Sequence, residues 1–480
     1  MPFIQRDADV LASFLEDAAH FPGGHAAGVA TPATDAEVAD LVRAVPTILP
    51  VGAQSSLTGG ATPMGDVLLS TSRLNRILEI GSDFVRVQAG VTLSDLDGAL
   101  ARAGRYYPPT PTFMGAFVGG TIATNAAGAA TFRHGTTRDW VTAIRVVLAS
   151  GEIVDVTRGG AKAATRVPVP TYRLPRVPKC SAGYFAAPDM DLIDLFIGSE
   201  GTLGIVTEAS LRVLPARPAI CLVFLTLTDR AAAVGLVDRL RREAAHTGVS
   251  AIEHMDRRCL ELLREDGIDR QFGVTIAEAA HIALLITFEL ADVRDPIDHV
   301  NAVLESAGVT TDVDIAIPGD RARAAQLIAA REAVPAAVNA RVGRAKQAID
   351  PRISKTAADM IVPFDRLAGL MARYDDEFRR RGLDAAVWGH ISDGNLHPNV
   401  LPRSYADVES GKEAILTFGR EVARMGGSPL AEHGVGRNPI KQQLLREMYG
   451  ETGIDEMRAV KRALDPEWKF APGVIFTRER

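Results

Sequence analysis

Cysteine is scarce in this chain of 480 residues. Cys180, Cys221 and Cys259 are an odd, widely spaced set with no C-x-x-C. That excludes a disulfide framework and makes a reducing cytoplasm the expected setting. Long apolar runs are missing too. Stretches such as Ile282 to Ile286 fall far short of the roughly 20 residues a membrane helix needs. The opening MPFIQRDADV carries no apolar core of a signal peptide, so a cytoplasmic protein is expected, with peripheral membrane association left open. Nor is there a surplus of positive charge. Lys+Arg is 53 against Asp+Glu 59, a net charge of −6, which gives no footprint for nucleic acid. Hydrophobic residues at 47% and charged residues at 23% fit a folded globular protein and exclude disorder. At roughly 150 residues per domain, the length suggests about three units or two larger ones.

Glycine is present in mild surplus, and its clusters organise the reading. The first third alternates helical and strand patterns. Thr34 and Glu37 form a capping-box pattern before the apolar stripe Val38, Leu41, Val42 and Val45. Strands are expected at Val67 to Leu69, at Phe84 to Val87, and on either side of the Ser150-Gly151 turn. The sequence TLSDLDGALARAG predicts a helix stopped by Gly104. These patterns indicate an α+β unit over residues 1–215. Prolines 168, 170, 175, 178 and 188 predict an extended surface loop whose Arg166, Arg173, Arg176 and Lys179 are solvated. Beyond Pro215 and Pro218, CLVFLTLTD, IALLITFEL and AAVWGHIS alternate with helical patterns. They indicate a second α+β unit over 216–425 with an antiparallel sheet, followed by a largely helical segment over 426–480.

Three glycine clusters point to a bound anion and a flat ligand. PVGAQSSLTGGATP groups Gly52, Gly59 and Gly60 with Ser55, Ser56 and Thr58, so backbone N–H and side-chain O–H groups can converge on a phosphate without a basic residue. MGAFVGGTIATNAAG brings Gly119, Gly120 and Gly128 together with Thr121, Thr124 and Asn125, as a backbone lying against a planar group requires. IGSEGTLGIV adds Gly198, Gly201 and Gly204. None matches the G-x-G-x-x-G of a Rossmann site or the G-x-x-x-x-G-K-[ST] of a P-loop.

The stretch VWGHISDGNLHPNV points to a second kind of chemistry. A two-residue Asp393-Gly394 turn would set His390 directly opposite His397 on one face of a hairpin, with Cβ atoms about 4.5–5.5 Å apart. Asn395 and Asn399 would share that face. Glu432 and His433 follow in AEHGVG. His390, His397 and Glu432 then form a two-histidine, one-carboxylate set suited to zinc, with manganese or iron as alternatives. No H-E-x-x-H is present.

Taken together, these motifs resemble the FAD-linked D-2-hydroxyacid dehydrogenases, a family that includes D-lactate and D-2-hydroxyglutarate dehydrogenases and the flavin subunit of glycolate oxidase. The resemblance spans roughly residues 30 to 475 and rests on VGAQSSLTGGA, FVGGTIATNAAG, KCSAGY with IGSEGTLGIV, GHISDGNLHPNV and EHGVG. It implies a PCMH-type FAD-binding domain of two subdomains plus a cap, and non-covalent FAD. The implied FAD contacts are Gly52, Ala53, Gln54, Ser55, Ser56, Thr58 and Gly59; Gly119, Gly120, Thr121, Thr124, Asn125 and Gly128; and Glu200, Gly204 and Ile205. It also implies His433 as active-site base, Arg331 on the substrate carboxylate, and Asn399 and Lys355 at the substrate. The chain departs from the pattern with Ala53-Gln54 where glycines are common and His134 where Tyr is frequent. The expected partners are a small 2-hydroxy acid and an electron acceptor (a cytochrome, a quinone or an electron-transfer flavoprotein), and a homodimer is compatible. Three rival readings stand beside this one: an alkylglycerone-phosphate-synthase-like enzyme, a metal-dependent hydrolase whose glycine loops bind phosphate, and a non-catalytic subunit of a flavin complex.

Overall fold

The helix Asp35–Ala44 begins where the sequence places a cap. Thr34 Oγ1 accepts the Glu37 N–H at 3.2 Å, while the Glu37 carboxylate accepts the N–H of Ala33, one residue earlier than a capping box requires, at 2.7 Å. Its buried Val38, Leu41 and Val42 pack on Ile48, Val67 and Leu69. Each fully buried aliphatic side chain of this kind contributes about 1.5–3 kcal/mol. Those strand residues belong to a three-stranded parallel sheet in the order Gly28–Ala30, Val67–Ser70, Ile48–Val51. A five-stranded antiparallel sheet follows, in the order Ile77–Ile80, Phe84–Gln88, Ile205–Arg212, Val141–Val147, Ile153–Thr157. The computed structural model describes residues 3–109, 111–291, 293–310 and 312–478. Its architecture is α+β.

An eight-stranded sheet forms the second unit. Its main path runs Val313–Ala316, Ala219–Leu227, Ile282–Leu290, Val249–Asp256, Ala385–His390, Asn395–Val400, Thr356–Ala357, and Met360–Ile361 pairs with Asn395–Val400 as well. Both faces are covered, which is why these strands read as near-continuous apolar runs. On one face Val223, Ile252, Ile286 and Val387 share a core with the helices Arg230–Arg242, Pro296–Ser306 and Leu367–Arg381. On the other, Phe224, Met255, Leu285 and Trp388 pack with the helices Arg257–Glu265 and Arg321–Ala348. The period-2 alternation of a strand thus gives neighbouring residues to different compartments.

The final segment returns to the first unit. Leu430, Val435, Leu445, Ile454, Met457, Val460 and Trp468 join the same core as Val29, Leu49 and Val85. The helix Pro439–Leu464 bends at Gly450, where φ is 66°. Residues 158–188 run as an extended loop interrupted by the 3₁₀ turn Ala163–Thr165, with Arg166, Arg173 and Arg176 exposed. Lys179 corrects the expectation of a solvated basic loop, because it is 2% exposed and points inward.

Candidate active site

The strand Ile48–Val51 delivers the first glycine loop to one wall of a cavity of about 810 Å³. Gly52 backs onto Phe117, and Gln54 holds φ at 51°, a left-handed conformation that costs a residue with a Cβ about 1–3 kcal/mol. The Gln54 side chain repays this by donating from Nε2 to the carbonyls of Phe14 and Ala61, both at 2.9 Å. It staples the loop. In the helix Val118–Ala123, a Cβ at Gly119 would lie 2.7 Å from that of Ala89, whereas a Cβ at Gly120 would meet nothing within 4 Å. Glu200, at φ 52°, accepts the N–H groups of Val435 and Gly436 at 2.7 and 2.8 Å, yet burial pushes its carboxyl up to about 7. Of the residues expected to touch the flavin, Gly52, Ala53, Gln54, Ser55, Ser56, Thr58, Gly119, Gly120, Thr121, Thr124, Gly128, Glu200, Gly204 and Ile205 line this cavity. Gly59 and Asn125 do not. Gly59 makes a turn beneath Phe21, and Asn125 Oδ1 accepts the Arg138 N–H at 2.9 Å.

The opposite wall carries the hairpin, and its register differs from the expected one. Trp388, not His390, is opposite His397. The turn is longer than two residues: Ile391–Asp393 form a 3₁₀ turn closed by Gly394 at φ 82°. Tertiary contacts fix it. Ser392 Oγ accepts the Ile252 N–H, and Arg241 Nε donates to the Ser392 carbonyl. A pairing slipped by two residues keeps every side chain on its face, since strand alternation has period two. The imidazoles of His390 and His397 therefore still meet, with ring centroids 5.5 Å apart and planes at 89°. Gly389 permits the kink between them: its φ is 148°, and a Cβ there would lie 2.6 Å from the Asn395 carbonyl oxygen.

Around this pair the structure gathers a dense set of charged groups. His390 Nε2 is 3.4 Å from Glu432, and His397 Nε2 is 3.9 Å from its other oxygen. Ligand atoms of His390, His397 and Glu432 lie within 4.8 Å of one another, and so do those of Asp359, His397 and His433. His390 Nδ1 is 2.5 Å from Glu253, which also takes Arg331 Nε at 2.8 Å. Burial alone would lower the His390 pKa, but Glu253 and Glu432 outweigh it and push it up to about 9. Burial dominates at His397 and pulls it down to about 3. Lys179 bonds Glu432 and lies 2.7 Å from Asp393. His433 Nδ1 is 3.2 Å from Asp359, whose Oδ2 also accepts the N–H groups of Glu432 and His433 at 2.7 and 3.0 Å. His433 has about a third of its side chain open, with a relative exposure of 32%. Arg331, Lys355, Asn399 and His433 all line the same cavity as the glycine loops. Arg331 is largely committed, since its Nη1 donates to Glu332 at 2.9 Å as well. Asn399 Nδ2 donates to the His397 carbonyl, leaving its Oδ1 buried without a partner.

A family described as "FAD linked oxidases, C-terminal domain" matches residues 217–475, and an "FAD binding domain" matches residues 26–157. The chain belongs to the FAD-linked oxidases. Within this family the oxidase falls in the D-lactate, D-2-hydroxyglutarate and glycolate oxidase group. It is 29% identical to a D-lactate dehydrogenase of Anaerostipes hadrus, with 89% of this chain and 84% of the relative covered. It is 31% identical to glycolate oxidase subunit GlcD of Bacillus subtilis, with 90% and 84% covered. To a D-2-hydroxyglutarate dehydrogenase of Xanthomonas citri pv. viticola it is 31% identical, with 93% and 89% covered. Among solved structures an alkyldihydroxyacetonephosphate synthase shares the fold, with a TM-score of 0.63, 16% identity, and 94% of this chain and 76% of that chain covered.

The oxidase's residues fit both groups that its chemistry implies. The open space above Gly120 and the uncharged, glycine-lined wall suit a planar isoalloxazine, and the Ser56 and Thr58 hydroxyls offer donors beside it. For a cation the fit lies in the charges. Pairing Glu253 with Arg331 and Asp393 with Lys179 leaves the carboxylates of Glu432 and Asp359 to three imidazoles. The buried His397 Nδ1 has no hydrogen-bond partner. Glu432 also shares Lys179 with Asp393, and the carboxylates of Glu432 and Asp359 with the histidine nitrogens around them are a donor set for a divalent ion. Sequence reasoning missed Asp359, Glu253, Lys179 and Lys441. Asp359 and Glu253 lie in strand patterns that mark them only as polar interruptions. Lys441, buried and donating to the Gly434 carbonyl at 3.0 Å, lies near the start of a helix. Among the described residues no helix is long and apolar enough to cross a membrane.

Proposed function

We propose that this FAD-linked oxidase is a metal-dependent dehydrogenase that oxidises a small D-2-hydroxy acid, D-lactate or a close analogue, to the 2-oxo acid. The observation that carries the reading is the single cavity shared by the glycine cradle and the His390, His397, Glu432 and His433 cluster. His390, His397 and Glu432 would hold the ion, and Gly52 to Thr58, Gly119 to Thr124, Glu200 and Gly204 would hold the flavin. When bound, the flavin accepts a hydride at N5 and the ion lowers the pKa of the substrate hydroxyl.

The chain's own residues do the remaining work. His433 takes the hydroxyl proton at Nε2, while Asp359 fixes Nδ1 and stabilises the imidazolium that results. Burial lowers the pKa of His433, so the ring is ready as a neutral base at physiological pH. Arg331 presents what remains of its guanidinium to the substrate carboxylate, and Glu253 sets its orientation together with that of His390. Lys355 adds a second cation to that wall, and Asn399 lines it beside the substrate position. With the proton taken up by His433, the two electrons of the C2 hydride would be left to the flavin and thence to a cytochrome, a quinone or an electron-transfer flavoprotein. Anaerobic addition of D-lactate to the purified flavoprotein should bleach its absorbance near 450 nm. A flavin band unchanged by D-lactate, glycolate and D-2-hydroxyglutarate alike would overturn the proposal.

A further inference from the structure

The cap sheet carries a second cavity, of about 660 Å³, on the face away from the flavin. That is a usual size for a small-molecule site. Strand alternation assigns it: His254 and Val387 face this cavity, while their neighbours Glu253 and Trp388 face the other side. His254 is 1% exposed, and neither ring nitrogen makes a well-formed hydrogen bond, with the Val387 backbone the one main-chain group acting on the ring. Tyr374 is also 1% exposed, and its hydroxyl has no partner. The buried Nε of Arg230 lacks one as well.

The three acidic groups lining this cavity are committed, Asp229 by accepting the Ala232 N–H at 2.7 Å. Asp256 accepts the N–H groups of Cys259 and Val387 at 2.9 and 2.8 Å, and Asp375 is paired with Arg230 through Nη2. Two helices, Arg230–Arg242 and Arg257–Glu265, begin at the cavity, and their first turns are capped by Asp229 and Asp256. The side-chain atoms left without a partner, the Tyr374 hydroxyl, the Arg230 Nε and the His254 ring nitrogens, are mostly donors. We propose that this second cavity binds a small oxyanion, a carboxylate or a phosphate, through Tyr374, Arg230 and His254.

Calorimetric titration of the full-length, flavin-loaded protein with inorganic phosphate and, separately, with malonate tests this. Saturable one-to-one binding of at least one ion is expected, and which one binds identifies the source. Tyr374→Phe should weaken it about fivefold, the loss of one hydrogen bond. Asp375→Asn, which frees Arg230, should tighten it by a similar factor, and the flavin spectrum should stay constant throughout. No saturable binding of either ion, or binding that neither substitution alters, would overturn the assignment.

Discussion

The two walls of the main cavity are made of opposite materials. The cradle is built from glycine, small residues and hydroxyls, and burial raises the pKa of the Glu200 and Asp17 carboxyls packed against it. The facing wall packs Glu253, Asp359, Asp393 and Glu432 against Lys179, Arg331 and three histidines. One side offers shape and backbone donors, and the other offers charge. An uncharged cradle can hold a flat cofactor without biasing its electrons, while the charged wall is matched to a chelating, ionising substrate. The two should therefore fail independently.

The largest expected effect comes from the charged wall. His433→Ala should leave flavin bound while slowing substrate-dependent bleaching by about 10³-fold in stopped-flow experiments. Glu432→Gln should cost metal content and activity, on the order of 10–100-fold, with the flavin band intact. A chelator should reproduce that loss and added divalent ion should reverse it. The converse comes from the cradle. Gly120→Val places a side chain in the open space and should yield a colourless protein that still holds metal by elemental analysis. If that variant lost metal as well, the independence of the walls would be wrong. Gly389→Ala attacks the kink between the histidines and should lower stability by about 3 kcal/mol in denaturant melts.

The smallest effect asks whether charge is confined to one face of the cap sheet. Burial pulls His254 down to about 3. Between pH 6.5 and 3 the unfolded chain therefore binds more protons at this position than the native one, and stability falls as pH drops through that window. From pH 7 to pH 5 the share of this residue in the loss is about 2 kcal/mol, and His254→Gln should remove that share in melts at the two pH values while leaving the share of His397, which is also pulled down to about 3.

Much of the frame was legible from local pattern. The helix Leu93–Arg102 ends at Gly104 with φ 66°, and the strands around Gly151 are those the turn implies. The long helix Arg321–Ala348 was not, because Pro335 interrupts it and its buried stripe mixes Leu327, Val334, Val338 and Val342 with Ala330, Ala337, Ala345 and the charged Arg331. Small side chains give little hydrophobic contrast. The convergence of His390 and His397 was readable because face depends only on odd and even spacing. The register was not, because Arg241 and Ile252, some 140 to 150 residues away in sequence, set the turn. Lys179 shows the same limit. Nothing in KCSAGY separates a buried cation from its exposed neighbours Arg173 and Arg176, since its partners Asp393 and Glu432 come more than 200 residues later.

The return of the last segment to the first core sets an order on biosynthesis. Glu432 and His433 emerge only after nearly nine-tenths of the polypeptide has been made, on a strand of sequence that must thread back beside Glu200 through Val435 and Gly436. The glycine cradle waits for the same stretch, since the Arg437 N–H donates to the Thr58 carbonyl and Phe470 pairs beside Ile48, so both walls are closed by the last tenth of the polypeptide.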